Sequence, residues 1–326
     1  MIDHLLKKIA ALNYFSGIIS LWLAALLLNN GCSVTSTVKD TTEKITKTTK
    51  KIAREITFAG DGLKKVVAVV RFEKKVLQAT RDFQNKFHQD LIEYLDSKCD
   101  DLIVVNSGSE VQAGRLSQLP KLPSGKTDNY AVAVIGRQLG LNAIIAGSLS
   151  NLRSMDETEG ILWMKETRYL IEVLIRTEVY DTQTATKLLD ESFVHDVEID
   201  EVEYQDIKKQ KDYDLAQLNE AYAQILVDMG DRICEVVGLQ NWHGYVTAIE
   251  GDKIFLSGGS RVGLKPGHKL EVFDGGRILE GIDGQRFISP GYKTAEIKIV
   301  EISDNQAEAV KVSGRGLKEG SIVRKK

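Results

Sequence analysis

Cysteine is scarce in this 326-residue chain, where only Cys32, Cys99 and Cys234 occur. Three thiols are too few for a disulfide-stapled miniprotein, and they show no paired spacing of the kind a metal knuckle needs. A surplus of basic charge is also missing, since 43 Lys and Arg stand against 46 Asp and Glu. That balance withholds the positive field by which a domain captures nucleic acid, so no nucleic-acid partner is expected. The motifs of catalysis are absent in turn: no Gly-x-Ser-x-Gly elbow, no His-Glu-x-x-His pair and no phosphate loop of the Gly-x-x-x-x-Gly-Lys-Ser/Thr form. Beyond His4, the histidines His88, His195, His243 and His268 are scattered singly, and each reads as a surface or half-buried structural side chain. The acidic run Asp196, Glu198, Asp200, Glu201, Glu203 and Asp206 lacks the glycine-centred spacing of a calcium loop and reads as a solvated edge. No catalytic residue, metal or cofactor is therefore expected, and the chain is read as a non-enzyme.

What is present is an ordinary globular composition, 43% hydrophobic and 27% charged, long enough for two domains. The most informative stretch is the first 32 residues. Lys7 and Lys8 precede an apolar run from Ile9 to Leu28, and Asn29-Asn30-Gly31-Cys32 follows. A charged region, a hydrophobic region and a small residue before a cysteine resemble a bacterial lipoprotein signal. The resemblance implies removal of residues 1–31 and acylation of Cys32 by fatty acids such as palmitate. Ser33 in the next position implies the outer membrane, with the chain anchored on its periplasmic side. Two alternatives stand beside it: the apolar run stays as an uncleaved helix in the inner membrane, or Cys32 is an incidental thiol after an ordinary signal.

Residues 32–62 are rich in Thr and Lys, and Val38, Ile45 and Ile52 recur at intervals of seven. On a helix they would form a thin apolar stripe. This tether associates with copies of itself, giving a homo-oligomer, or lies on lipid through Lys39, Lys44, Lys47, Lys50 and Lys51, or is a solvated spacer.

Residues 63–240 alternate strand and helix patterns. Val66 to Val70 suits a strand buried on both faces, followed by a helix with Phe83, Phe87, Leu91, Tyr94 and Leu95 on one side. Leu102 to Val105 is a second strand. Pro120 and Pro123 lie in a surface loop, Asp128 caps a helix that Gly140 ends, and Ala143 to Ala146 is a third strand. Ser154 to Glu159 reads as a polar turn before the apolar segment around Trp163, which suits core better than a docking strand. Tyr169, Ile171, Val173, Ile175, Thr177 and Val179 then alternate with polar residues, and Asp181 to Ala185 turns the chain into a hairpin partner, Leu188 to Ile199. A long amphipathic helix from Leu215 to Gly238 completes an α+β domain, a mixed sheet with helices packed on one face. Residues 241–326 hold 14 of the 27 glycines, with short alternating strands between them, and read as a small all-β barrel.

Two stretches carry a further resemblance. Val66 to Phe72, with Leu139-Gly140-Leu141-Asn142-Ala143-Ile144-Ile145-Ala146-Gly147-Ser148, is similar to a periplasmic α/β family. That family includes the TolB amino-terminal domain, the curli secretion lipoprotein and lipoprotein activators of peptidoglycan synthases. Gly244 to Ile249, Asp252 to Leu256 and Gly263 to Val272 resemble the SH3-like carboxy-terminal domain of flagellar assembly protein T. The combination implies a lipid-tethered periplasmic scaffold that docks onto an envelope protein complex, most concretely the flagellar basal body or motor. A secretion-channel subunit of the curli type and an activator of a cell-wall synthase are the alternatives. In an oxidising periplasm Cys99 and Cys234 are a disulfide pair if their helix ends adjoin; otherwise each is a small buried thiol.

Overall fold

A computed structural model describes residues 62–74, 81–106, 116, 118–161, 164–209 and 216–326. All belong to one compact unit, Gly60–Lys326. The signal, Cys32, the tether up to residue 61 and Trp163 lie outside the described residues, as does the side chain of Phe83.

Strand β1 (Lys65–Val69) is apolar on both faces after its first residue, and both faces are covered. The two-residue β2 (Glu73–Lys74) leads towards helix α1 (Arg81–Lys98), and β3 (Leu102–Asn106) pairs parallel with β1. Helix α2 (Asn129–Gln138) follows. The Asp128 side chain accepts a hydrogen bond from the Ala131 amide at 3.0 Å at its start, and Gly140 turns the chain at φ +71° just past its end. Strand β4 (Ala143–Ile161) lies parallel to β1 on its other side, and β5 (Met164–Asp181) and β6 (Lys187–Ile199) add antiparallel strands. The order is β3-β1-β4-β5-β6, with β2 paired to β4. Helix α3 (Glu201–Lys208) and the long α4 (Ala216–Gly238) complete this part.

Alternation along the strands separates two apolar layers. Val67, Val69, Ile145, Ile171, Val173 and Ile175 pack with Leu91 and Leu95 of α1 and Ile225, Met229 and Ile233 of α4. Ala68, Val70, Ile144, Ala146 and Tyr180 point the other way, against Val132 of α2 and Leu116. The expectation of helices on one face is thus corrected: α1, α3 and α4 cover one face and α2 the other. The reason is that the short parallel strands are apolar on both sides, so the β1–α1–β3 and β3–α2–β4 crossovers must take opposite faces. Gly147 is required by close packing, because a Cβ there would lie 2.2 Å from the Phe72 ring.

A second correction concerns Ser154 to Glu159. They belong to β4, paired with β5 from Ser154–Ile171 to Glu159–Glu166. Asp156 to Glu159 are exposed, so the arm has a turn's polar composition although its backbone is extended. The acidic run starts within β6 and its later members do local work: Asp200 accepts from the Glu203 amide at 2.7 Å while Glu203 accepts from the Asp200 amide at 3.0 Å, a capping box that opens α3. Cys99, just beyond α1, and Cys234, near the end of α4, are buried with Cα atoms 5.5 Å apart and are joined in a disulfide.

After α4 come β7 (Gly244–Glu250), β8 (Lys253–Ser257), β9 (Lys269–Phe273), β10 (Ile278–Glu280), β11 (Arg286–Ile288), β12 (Lys293–Ile302), β13 (Gln306–Gly314) and β14 (Ile322–Lys325). Six of them close an antiparallel barrel in the order β12-β13-β8-β7-β14-β9. Its core holds Leu256, Leu270, Val272, Ile297 and Val323, together with Trp242 and Leu63. Val66 and Ile103 of the sheet pack against the same cluster, so the two layers of structure share apolar contacts. Strands β10 and β11 stand outside the barrel as a separate hairpin.

Candidate functional site

Three places concentrate polar or exposed groups. The first is the joint between sheet and barrel. The wholly buried Thr182 hydroxyl lies 2.8 Å from the Tyr245 hydroxyl, 3.2 Å from His243 Nε2 and 3.0 Å from the Asn142 carbonyl. The Asn142 side chain accepts from the Val66 amide at 2.8 Å and donates to the His243 carbonyl at 2.8 Å, while Arg137 Nε donates to the Thr182 carbonyl at 2.8 Å. Burial pushes the His243 imidazole down to about 4, the Asp181 carboxylate opposing and the Arg324 and Arg137 charges reinforcing the shift. The same burial raises the Tyr245 phenol. His243 is therefore neutral and buried, deeper than the surface or half-buried position expected for it, because the local sequence does not show that the barrel packs against the sheet here. With Asn142, Thr182, His243 and Tyr245 all buried, this network holds the two layers in register.

The other histidines stay separate. His88 on α1 is half-buried with an unsatisfied Nδ1, His195 is half-buried in β6, and His268 Nδ1 accepts from the Lys265 amide at 3.3 Å. Among the described residues no group of three or more His, Cys, Asp or Glu could hold a metal ion.

The second place is a cleft of about 580 Å³ beside the carboxyl end of β1, walled by β4–β6, residues 118–127 and Gln285. Open α/β sheets bind ligands where successive crossovers take opposite faces, and β1 is flanked by such crossovers. Side chains on the α2 side of the sheet form its floor. Arg176 contacts Asp190 at 2.7 Å, Lys187 contacts Asp190 at 2.8 Å and Glu178 still more closely, and the Tyr180 hydroxyl donates to Glu178 at 2.8 Å. Hydrogen bonds and charge from Lys187 and Arg176 hold the Asp190 carboxyl below the usual carboxylate range, against the largest single influence, burial, which opposes them. At the rim Lys121 pairs with Glu73 at 2.6 Å and Lys126 with Asp283 at 2.7 Å. Sequence reading missed this cleft, since its charges are spread from residue 71 to residue 190 and meet only through strand pairing.

The third place is the β10–β11 hairpin. Its base is fixed to the sheet domain: Asn129 Nδ2 donates to the carbonyls of Ala185 at 2.8 Å and Arg286 at 2.6 Å, the Ile288 amide donates to Thr184 at 2.8 Å, and Arg286 pairs with Asp128 at 3.2 Å. Its outer part is apolar and exposed, with Ile278 at 53%, Leu279 at 49% and Ile282 at 82%, and Tyr292 nearby at 77%. Adjacent side chains on a strand point to opposite faces, so Ile278 and Leu279 leave both faces of the hairpin apolar. The sequence signal for it was faint: two consecutive aliphatics between glycines 275–276 and 281.

No family model matches the chain, and no curated protein matches it. Solved structures similar to part of it include a hypothetical protein from Chlamydia trachomatis, at 14% identity over 54% of this chain and 99% of that one, with a TM-score of 0.38. A minor lipoprotein from Acinetobacter baumannii matches at 8% identity over 52% and 93%, TM-score 0.27. A lipoprotein from Neisseria meningitidis matches at 9% identity over 52% and 99%, TM-score 0.28. Bacterial lipoproteins thus recur among the similar structures, and at these identities and TM-scores the likeness assigns neither activity nor partner. Among the described residues no helix is long and apolar enough to cross a membrane.

Proposed function

We propose that this chain is a non-enzymatic lipoprotein scaffold of the cell envelope, acylated at Cys32, which docks onto a larger protein assembly through the β10–β11 hairpin. The flagellar basal body or motor is the most concrete setting, and the resemblance of the barrel to an SH3-like module belongs to the same reading. The observation that carries it is the exposure of Ile278, Leu279, Ile282 and Tyr292 on a hairpin whose base is clamped. Exposed clustered apolar side chains mark interaction surfaces, and a hairpin already held in place loses little freedom when a partner groove closes on it. The partner surface that fits is an apolar groove.

The test is in-cell crosslinking of the full chain, followed by identification of captured envelope proteins, with wild type compared with Ile282→Asp and Leu279→Asp. Capture of an envelope assembly by wild type and its loss in both variants supports the reading. Equal capture by all three removes the hairpin from it, and recovery of the wild-type chain in the cytosol without incorporated palmitate removes the lipoprotein. The channel-subunit alternative is disfavoured by the distal β4–β5 arm, where Asp156, Glu157, Glu159, Glu166 and Arg168 are exposed. A strand facing lipid would need an apolar side there.

A further inference from the structure

The cleft beside β1 contains one charge that the protein leaves unanswered. Each of its carboxylates has a cation against it: Glu73 meets Lys121, while Glu178 and Asp190 share Arg176 and Lys187. Lys126 is neutralised by Asp283 from the loop of the β10–β11 hairpin. Arg71, exposed two residues beyond the end of β1, has no carboxylate partner among the described residues. The side chains of Gln118, Ser124 and Gln285 line the same cleft, and none makes a hydrogen bond within the described residues. A guanidinium presents a planar pair of donors that matches a carboxylate or a phosphate, and two amides and a hydroxyl supply both donors and acceptors. The volume, about 580 Å³, is that of a site for a small organic molecule. The walls are polar, so the complementary ligand is hydroxylated or amide-bearing and not greasy.

We propose that this cleft binds a small polar organic anion, with one carboxylate or phosphate on Arg71 and its hydrogen-bonding body against Gln118, Ser124 and Gln285. The paired charges on the floor keep Arg176 and Lys187 occupied, so the ligand carries one anionic group and not several. The loop between β10 and β11 supplies Gln285 to this site, whereas the exposed Ile278, Leu279, Ile282 and Tyr292 do not line it.

The test is calorimetric titration of the full mature chain with glucuronate, glucose 6-phosphate and glucose. Saturable binding of at least one of the two anions in the millimolar range or tighter is expected, with none for glucose. Which anion binds separates a carboxylate from a phosphate source. Arg71→Gln, at an exposed position that leaves the fold intact, should weaken the anion at least about tenfold, the loss of one charge-assisted hydrogen bond. Ser124→Ala should weaken it less. Binding of neither anion, equal binding of glucose, or an unchanged affinity in Arg71→Gln would overturn the proposal.

Discussion

The two faces of one sheet have been put to different uses. On the face towards α1 and α4, the inward side chains are aliphatic or aromatic but for a few such as Thr177, whose hydroxyl donates to Met229 Sδ at 2.7 Å, and a disulfide ties the ends of the two helices together. On the face towards α2 the apolar layer is smaller, and beyond it the same strands carry Arg176, Glu178, Lys187 and Asp190 into an open cleft. Both sets come from one alternating sequence: Ile175 and Val179 point one way, Arg176 and Glu178 the other. The lesson is that a strand pair can supply stability on one side and a chemically specific surface on the other, provided one helix leaves part of its face uncovered.

That contrast can be broken by measurement. Replacing both Cys99 and Cys234 by Ser should give the largest effect. Closing a loop across 135 residues corresponds to at most about 5 kcal/mol in the chain-entropy account, and denaturant titration with and without reductant reads it. Next, Leu91→Ala on the closed face should cost about 2–5 kcal/mol, as a cavity in a packed core does. Arg176→Ala on the cleft face should cost only about 0–1 kcal/mol, because its ion pairs are half exposed. Equal losses for these two would abolish the distinction between the faces.

The buried joint offers a pH-dependent test. The unfolded imidazole of His243 takes up a proton near pH 6.5 and the folded one only near 4, so the unfolded state binds more protons between those values. Stability is complete above about pH 6.5 and falls as pH drops towards 4, by about 3 kcal/mol from this residue. Unfolding free energies of wild type and His243→Gln, measured across that window, should converge as the pH falls. Parallel curves would show that the joint is not closed to water. The smallest effect belongs to the cleft: Arg71→Gln should alter stability by under about 0.5 kcal/mol. Burial first, and the Arg71 charge second, lower the His88 imidazole, so removing that charge should raise its titration midpoint in an NMR pH series. An unmoved midpoint would separate Arg71 from His88.

Much of the order of elements was legible from local pattern. Asp128 and Gly140 mark the ends of α2, and the alternation through Ile171, Val173 and Ile175 marks β5, because capping and period-two burial act over a few residues. The polar stretch Ser154 to Glu159 misled because an exposed two-stranded arm has the composition of a turn. The acidic residues after β6 concealed a capping box, in which Asp200 and Glu203 serve each other's backbone. Of the candidate sites, the pairing of Cys99 with Cys234 was left open by sequence. Arg71 lay just past the strand read as Val66 to Val70, and nothing in the local sequence showed why an arginine should follow it.

By itself the sequence determined the strand and helix periods, the glycine-rich character of the carboxy-terminal region and the signal-like amino terminus, since each depends on neighbours within a turn or two. Tertiary structure alone decided that helices cover both faces, that Thr182, His243 and Tyr245 meet in one buried network, and that charges from residue 71 to residue 190 line one cleft. Those outcomes depend on which strands pair and which layer lies above them. Pairing is a long-range consequence of burying every apolar face at once, and no local window of residues records it.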